Sequence, residues 1–162
     1  MLRFMGLAIV ALLVVGLLRS PSSAHAPLDI STAEDEATIA GVKATLDAQV
    51  AAWNEGDIPG FMAGYANVKG LRFASGNTVT HGWETTLQRY QKRYTDRKLM
   101  GTLAFKELSI KPLSPVYAEV FGRFHLIRDK DTGDATGLFT LLMQKSGEGW
   151  LVLHDHTSAA TE

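Results

Sequence analysis

The chain contains no cysteine. That excludes a disulfide framework, thiolate metal sites, a cysteine nucleophile and a lipid-modified cysteine behind an export signal. Basic charge is not in excess either. The 16 Lys and Arg stand against 17 Asp and Glu, so there is no nucleic-acid footprint and no nucleic-acid partner is expected. A Gly-x-Ser-x-Gly elbow is missing, which removes the usual support for a nucleophilic triad. No glycine-rich phosphate loop occurs, because "GNTVTHG" stands in the wrong context for one. Internal repeats and low-complexity linkers are absent too. What is there reads as one domain in 162 residues, with the 46% hydrophobic and 20% charged content of an ordinary globular protein.

One long apolar run exists, Phe4 to Leu18, behind Arg3 and ahead of small and turn residues. This is the layout of a secretory signal peptide. The run falls short of the roughly 20 residues that a membrane span requires. Ser22 and Ala24 make a small-x-small cleavage pair, whereas a cut after Ala26 would place Pro27 just beyond the scissile bond. Residues 1–24 are therefore expected to be a signal peptide, 25–30 a short N-terminal segment, 31–158 the folded domain and 159–162 a tail. An uncleaved anchor is the alternative. Cleavage would remove Arg3 and Arg19, leaving 14 of the 16 basic residues against 17 acidic ones, a net charge of −3. The expected location is outside the cytoplasm, periplasmic or extracellular, with membrane contact only through the signal segment before cleavage. About 138 residues then remain, enough to build a core that needs no cross-links.

"STAEDEATIAGVKATLDAQVAAWNEGD" reads as a helix. Ser31 with Glu34 can form a capping box. Ile39, Val42, Leu46, Val50 and Trp53 recur on one face, and Asn54 with Gly56 ends the run. Asp57 can cap a second, short helix, "IPGFMAGY". "LRFASGNTVTHG" gives two short strands about a Ser-Gly-Asn turn. "WETTLQRYQKRYTDRK" is helical again, with Trp83, Leu87, Tyr90 and Tyr94 on one face. Arg89, Lys92, Arg93 and Arg97 lie mostly on the other, as a solvated face. Four strand-like runs follow: "GTLAFKELSIKPLS", "PVYAEVFGRFHLIRDK", "ATGLFTLLMQKSG" and "GWLVLHDHTS". Helices segregated from a mostly antiparallel sheet indicate an α+β domain.

This order, with "AWNEGD" at Ala52–Asp57, "FMAGY" at Phe61–Tyr65, "SGNTVTHGWE" at Ser75–Glu84, "GRFHLIR" at Gly122–Arg128 and the final "GWLVLHDHTS", resembles the nuclear transport factor 2-like superfamily. The similarity is to its SnoaL-like and ketosteroid-isomerase-like branch in particular, and it covers about Ser31 to Ser158. The resemblance implies a curved, mostly antiparallel sheet wrapped as a cone around the long first helix, with two further helices and a pocket open at one end. It also implies a homodimer paired through the sheet. The superfamily holds isomerases, cyclases, hydrolases, transport factors and assembly domains, so the fold leaves the function open.

A cone of this kind would hold a small, partly apolar ligand among apolar walls and a few converging polar groups. The strand "YAEVFGRFHLI" offers two faces by alternation, and the sequence does not say which points inward. We take Arg123 and His125 as inward, with Arg123 holding an anionic group. In "GWLVLHDHTS", period-two alternation puts Trp150, Val152, His154 and His156 on one face and Asp155 on the other. His125, His154 and His156 are then the candidate acid/base groups, since histidine titrates near neutral pH. Tyr65, Trp83 and Tyr94 are candidate pocket walls, with Tyr65 a possible hydrogen-bond donor. No Asp can be assigned to the base position of a ketosteroid isomerase. A metal is not expected: His154 and His156 could chelate one, but Arg123 beside the third ligand, His125, would repel it. No cofactor is expected. Two readings stay open: an exported binding protein with proton-transfer activity of isomerase or cyclase type, and a non-catalytic ligand-binding or dimeric interaction module.

Overall fold

The computed structural model describes residues 32–147 and 149–160. The expected signal peptide (1–24) and short N-terminal segment (25–30) lie outside them. Helix α1 spans Ala33–Glu55. Its cap is Thr32, one residue beyond the expected Ser31, and the Thr32 hydroxyl accepts from the Asp35 amide at 3.1 Å. Val42, Leu46 and Trp53 are buried as the periodicity predicts, together with Thr38 and Gln49. Ile39 and Val50 sit half-buried at the flanks of that face. Gly56 ends the helix at φ +88°, a left-handed conformation that glycine adopts without Cβ strain. Among the described residues no helix is long and apolar enough to cross a membrane.

Helix α2 covers Ile58–Met62, its start held by the Asp57 carboxylate accepting from the Gly60 amide. Strands β1 (Arg72–Ser75) and β2 (Thr78–His81) form the short hairpin. The helix expected over the whole of "WETTLQRYQKRYTDRK" is two helices, α3 (Trp83–Arg93) and α4 (Arg97–Met100). The break lies where the Asp96 carboxylate accepts from the Leu99 amide at 2.9 Å and so starts a new helix. Four long strands follow: β3 (Thr102–Ser114), β4 (Tyr117–Ile127), β5 (Ala135–Ser146) and β6 (Gly149–Ala159).

The fold is α+β, as expected. The sheet runs β2-β1-β6-β5-β4-β3. Every neighbouring pair is antiparallel except β1 and β6, which pair in parallel with Phe73 opposite Asp155. Two bulges bend it. In β3 the register slips between Lys106 and Ser109, and Glu107 there has φ +55°. In β6 it slips where Met143 pairs with Val152 but Leu142 pairs with His154, leaving Leu153 as the extra residue. A bulge adds twist and bends its strand, which lets a sheet close round a helix.

The "AWN" stretch ties the end of α1 to that sheet. Trp53 is buried, and its indole N–H donates to the Met100 carbonyl at 3.1 Å. Asn54 behaves as a one-residue strand partner: its Oδ1 accepts from the Leu103 amide at 2.7 Å, and its Nδ2 donates to the Leu103 carbonyl at 3.1 Å. Further back along the helix, Trp150 packs directly over Gly41, where any side chain would strike the indole.

Candidate functional site

The bulge at Leu153 decides the chemistry of the last strand. Trp150 and Val152 are buried, and straight alternation would put His154 and His156 beside them. Leu153 takes up one extra position, so the alternation restarts out of phase. Asp155 turns inward, 4% exposed, with Thr157 following it on the same side. His154 and His156 turn to the outer face. There His154 Nδ1 accepts from Arg72 Nε at 3.0 Å. Burial first, and then the Arg72 charge, hold its pKa below the ordinary 6.5. His156 is exposed.

β4 also presents the opposite face from the one expected. Ala118, Val120 and Leu126 are its buried residues, and Phe124 lines the cavity. Arg123 lies outside, paired with Glu107 at 3.0 Å, and His125 shares that outer face with the exposed Ile127. The inner face contains Gly122 because a Cβ there would strike Phe139. The expected convergence of Arg123, His125, His154 and His156 is therefore not formed. Among the described residues no three His, Asp or Glu side chains are grouped to hold a metal ion. Of the three aromatic walls, Tyr65 and Tyr94 do border the cavity. Trp83 does not; its indole N–H is committed to the Met62 carbonyl at 2.9 Å.

The cavity has a volume of about 150 Å³. One wall is α1 and α2, through Trp53 and Phe61. Phe105, Phe124 and Phe139 of the sheet make another, and Arg89, Tyr90 and Arg93 of α3 with Tyr94 just after it a third. Its polar floor is Asp155. The Tyr65 hydroxyl donates to Asp155 Oδ2 at 2.7 Å, and the Thr157 hydroxyl donates to Oδ1 at 2.7 Å. Tyr90 Oη stands 3.4 Å from Tyr65 Oη. Tyr65 is placed by its own backbone. The Ala66 amide donates to the Val152 carbonyl, and the Val152 amide donates to the Gly64 carbonyl, which clips residues 64–66 onto β6.

Burial pushes the Asp155 carboxyl up to about 6, against the two hydroxyl hydrogen bonds, which favour the charged form and pull it down. Burial and the neighbouring carboxylate push the Tyr65 phenol well above 10, and burial moves Tyr90 in the same direction. Both phenols are therefore neutral donors near pH 7. Asp155 alone in this group titrates close to neutrality, the range in which a general acid or base works best.

Sequence reasoning missed Asp155 because it assumed an unbroken strand period. A signal was present: Trp150, Leu151, Val152 and Leu153 are four apolar residues in a row, which strict in–out alternation does not produce. Helix periodicity alone places Arg89 and Arg93 on the solvent face of α3. Each directly precedes a tyrosine of the apolar stripe, and one residue is only 100° of helix rotation. They flank the stripe and reach the cavity rim.

No family model and no curated protein matches the chain. Solved structures do. An NTF-2-like protein of unknown function from Shewanella oneidensis MR-1 is 37% identical, with a TM-score of 0.70 over 74% of this chain and 98% of that one. A ketosteroid isomerase-like protein from Erwinia carotovora atroseptica SCRI1043 is 22% identical, with a TM-score of 0.61 over 76% and 96%. A domain with a cystatin-like fold from Nostoc punctiforme is 18% identical, with a TM-score of 0.65 over 82% and 81%.

Proposed function

Because the chain belongs to the nuclear transport factor 2-like superfamily, whose cone fold it has, we propose that the cone binds a small, partly apolar molecule and that Asp155 exchanges a proton with it. The observation carrying this reading is the Asp155 carboxyl on the cavity wall, bridged by Tyr65 and Thr157 and poised near pH 6. As carboxylate it takes a proton from carbon or oxygen. As acid it returns one. Tyr65 gives its one hydroxyl hydrogen to the Asp155 carboxylate and so holds that group in place for the exchange. Size narrows the ligand. A cavity of about 150 Å³ takes a molecule the size of benzene, so a single ring fits inside, and anything longer would extend through the mouth. The neighbour's ketosteroid isomerase-like description is in keeping with an acid/base reading.

The test is carbon-bound proton exchange in D2O, followed by NMR for a single-ring ketone such as cyclohexanone. Wild-type protein is expected to accelerate exchange at the carbon beside the carbonyl, with a rate that rises through pH 6 as Asp155 ionises. Asp155→Asn should abolish it. Binding of the ketone without exchange would leave a binding protein and remove the catalytic part.

The second reading, a dimeric interaction module, is favoured by the outer sheet face. Phe121 is 41% exposed there, and it stands opposite Thr140, between the half-buried Leu138 and Leu142. A homodimer through this face would cover it. Sedimentation of wild type and Phe121→Glu tests this, and a wild-type monomer at micromolar concentration would remove it. We further propose export, with residues 1–24 removed. The intact mass of material secreted by a producing cell would begin at His25; a product retaining Met1–Leu18 would mean an anchor.

A further inference from the structure

Two arginines on α3 border the cavity without a carboxylate partner among the described residues. Arg89 and Arg93 are four residues apart and so lie on one side of the helix. Arg89 is half-buried and Arg93 exposed, which puts them at the mouth, while Tyr65 and Asp155 are buried at the inner end. The ion pairs among the described residues are Lys43–Asp47, Lys98–Asp129 and Arg123–Glu107. Neither mouth arginine is in one, and neither is within ion-pair distance of Asp155. The Arg89 guanidinium lies 4.8 Å from the centre of the Phe73 ring and gives Nη1 to the Thr80 hydroxyl at 3.1 Å. That of Arg93 lies 5.7 Å from the centre of Tyr94. The rings hold the two cations at the opening by cation–π attraction. A guanidinium has five N–H donors in a fork that matches a carboxylate, so most donors of the pair are left for a ligand.

We infer that Arg89 and Arg93 form a carboxylate clamp at the mouth, and that the ligand is a small ring-bearing acid bound ring inward with its carboxylate on the clamp. The orientation follows from the two ends. The inner end already holds a carboxyl group in a desolvated place, where a second negative charge is costly. The mouth holds two cations partly in water, where an anion keeps some hydration. The middle is phenylalanine and tyrosine, which suits a ring. The inference rests on the pocket reading above and adds the charge and direction of the ligand.

The experiment measures binding by calorimetry or ligand-observed NMR for benzoate, phenylacetate and 3-phenylpropionate, each against its own primary amide. Wild-type protein is expected to bind at least one acid about tenfold or more tighter than its amide, the size of effect a charge-assisted pair produces. Arg93→Gln and the Arg89→Gln/Arg93→Gln double variant should lose that preference while holding the amide within about twofold. Arg123→Gln, on the outer face, should change neither. Thermal melts of each variant show that it is folded, and the exposed Arg93→Gln carries the test if the double variant is not. Equal binding of acid and amide would overturn the clamp and leave the pocket reading standing. If neither acid nor amide binds, the pocket reading fails and the clamp with it. A preference that survives in both arginine variants places the anion elsewhere and also overturns the clamp.

Discussion

Tyr65 donates its phenol hydrogen to Asp155 at 2.7 Å, across 90 positions of sequence. The contact joins the loop after α2 to the last strand, and both side chains are buried. A carboxyl group so placed responds to pH in the sense opposite to a surface ion pair.

In the folded protein Asp155 keeps its proton up to about pH 6, against an ordinary value of 3.8. The unfolded chain releases it near pH 4. The native state therefore binds the extra proton between these values, and stability falls as pH rises through that window. The contribution is complete below about pH 4 and lost above about pH 6, and it amounts to roughly 3 kcal/mol at most. Asp155→Asn should remove it, so the variant should gain on wild type as pH rises and be the more stable protein at pH 7.5. Urea unfolding of both proteins from pH 4 to 7.5 measures the difference. A difference independent of pH would mean that Asp155 is ionised throughout.

Trp53→Ala should cost about 3–5 kcal/mol, as large aromatic truncations in cores do. The indole meets Phe61 and Tyr94 edge-on at 5.1 and 4.7 Å between ring centres, and its N–H holds the Met100 carbonyl. An unchanged melting temperature would contradict the packing described for the end of α1.

Asn54→Ala strips both hydrogen bonds from the Leu103 backbone. The expected loss is about 1–3 kcal/mol, the cost of leaving a buried polar group unpaired. Asn54→Asp keeps the acceptor for the Leu103 amide but sets a carboxylate against the Leu103 carbonyl, so it should not restore stability. Chemical denaturation of both variants distinguishes loss of these bonds from loss of packing, which the near-isosteric Asp preserves.

Glu107→Gly should stabilise. At φ +55° a non-glycine residue carries roughly 1–2 kcal/mol of left-handed strain, and the exposed Glu107–Arg123 pair that is lost contributes at most about 1 kcal/mol. A net gain of up to about 1 kcal/mol, read as a higher melting temperature, is expected. A clear loss would show that the ion pair, rather than the backbone, holds the bulge.

His154→Ala and His156→Ala should each change stability by no more than about 0.5 kcal/mol and leave ligand binding unaltered, because both side chains face away from the cavity. Weakened binding in either variant would mean that the last strand turns the other way.

Much of the fold is legible in local chemistry. The stripe ending in Trp53, the Asp57 cap and the turn chemistry between the long strands all declare themselves in short windows of sequence. The cavity walls are partly legible, since Tyr65 and Tyr94 lie on apolar helix sides that must face something. The polar floor is not. Whether Asp155 or its histidine neighbours point inward depends on a single unpaired residue, Leu153, whose position is set by pairing with β5, where Val152 faces Met143 and His154 faces Leu142. The same holds for β4, where both faces are apolar enough to be buried. There the choice goes to the side on which Gly122 leaves room for Phe139. Pairings across strands make these decisions, and a single strand read alone does not contain them.

The extra residue in β6 also affects how relatives are to be aligned. From Trp150 to the inward carboxylate the count here is five; a relative with an unbulged last strand reaches the same depth in four. Matching such a chain to this one without a gap would set its carboxylate against His154 and make an unchanged acid look like a replaced one. Relatives of this protein should be compared by the face of the sheet each residue occupies, with the gap placed at Leu153, before any of them is said to have kept or lost the group.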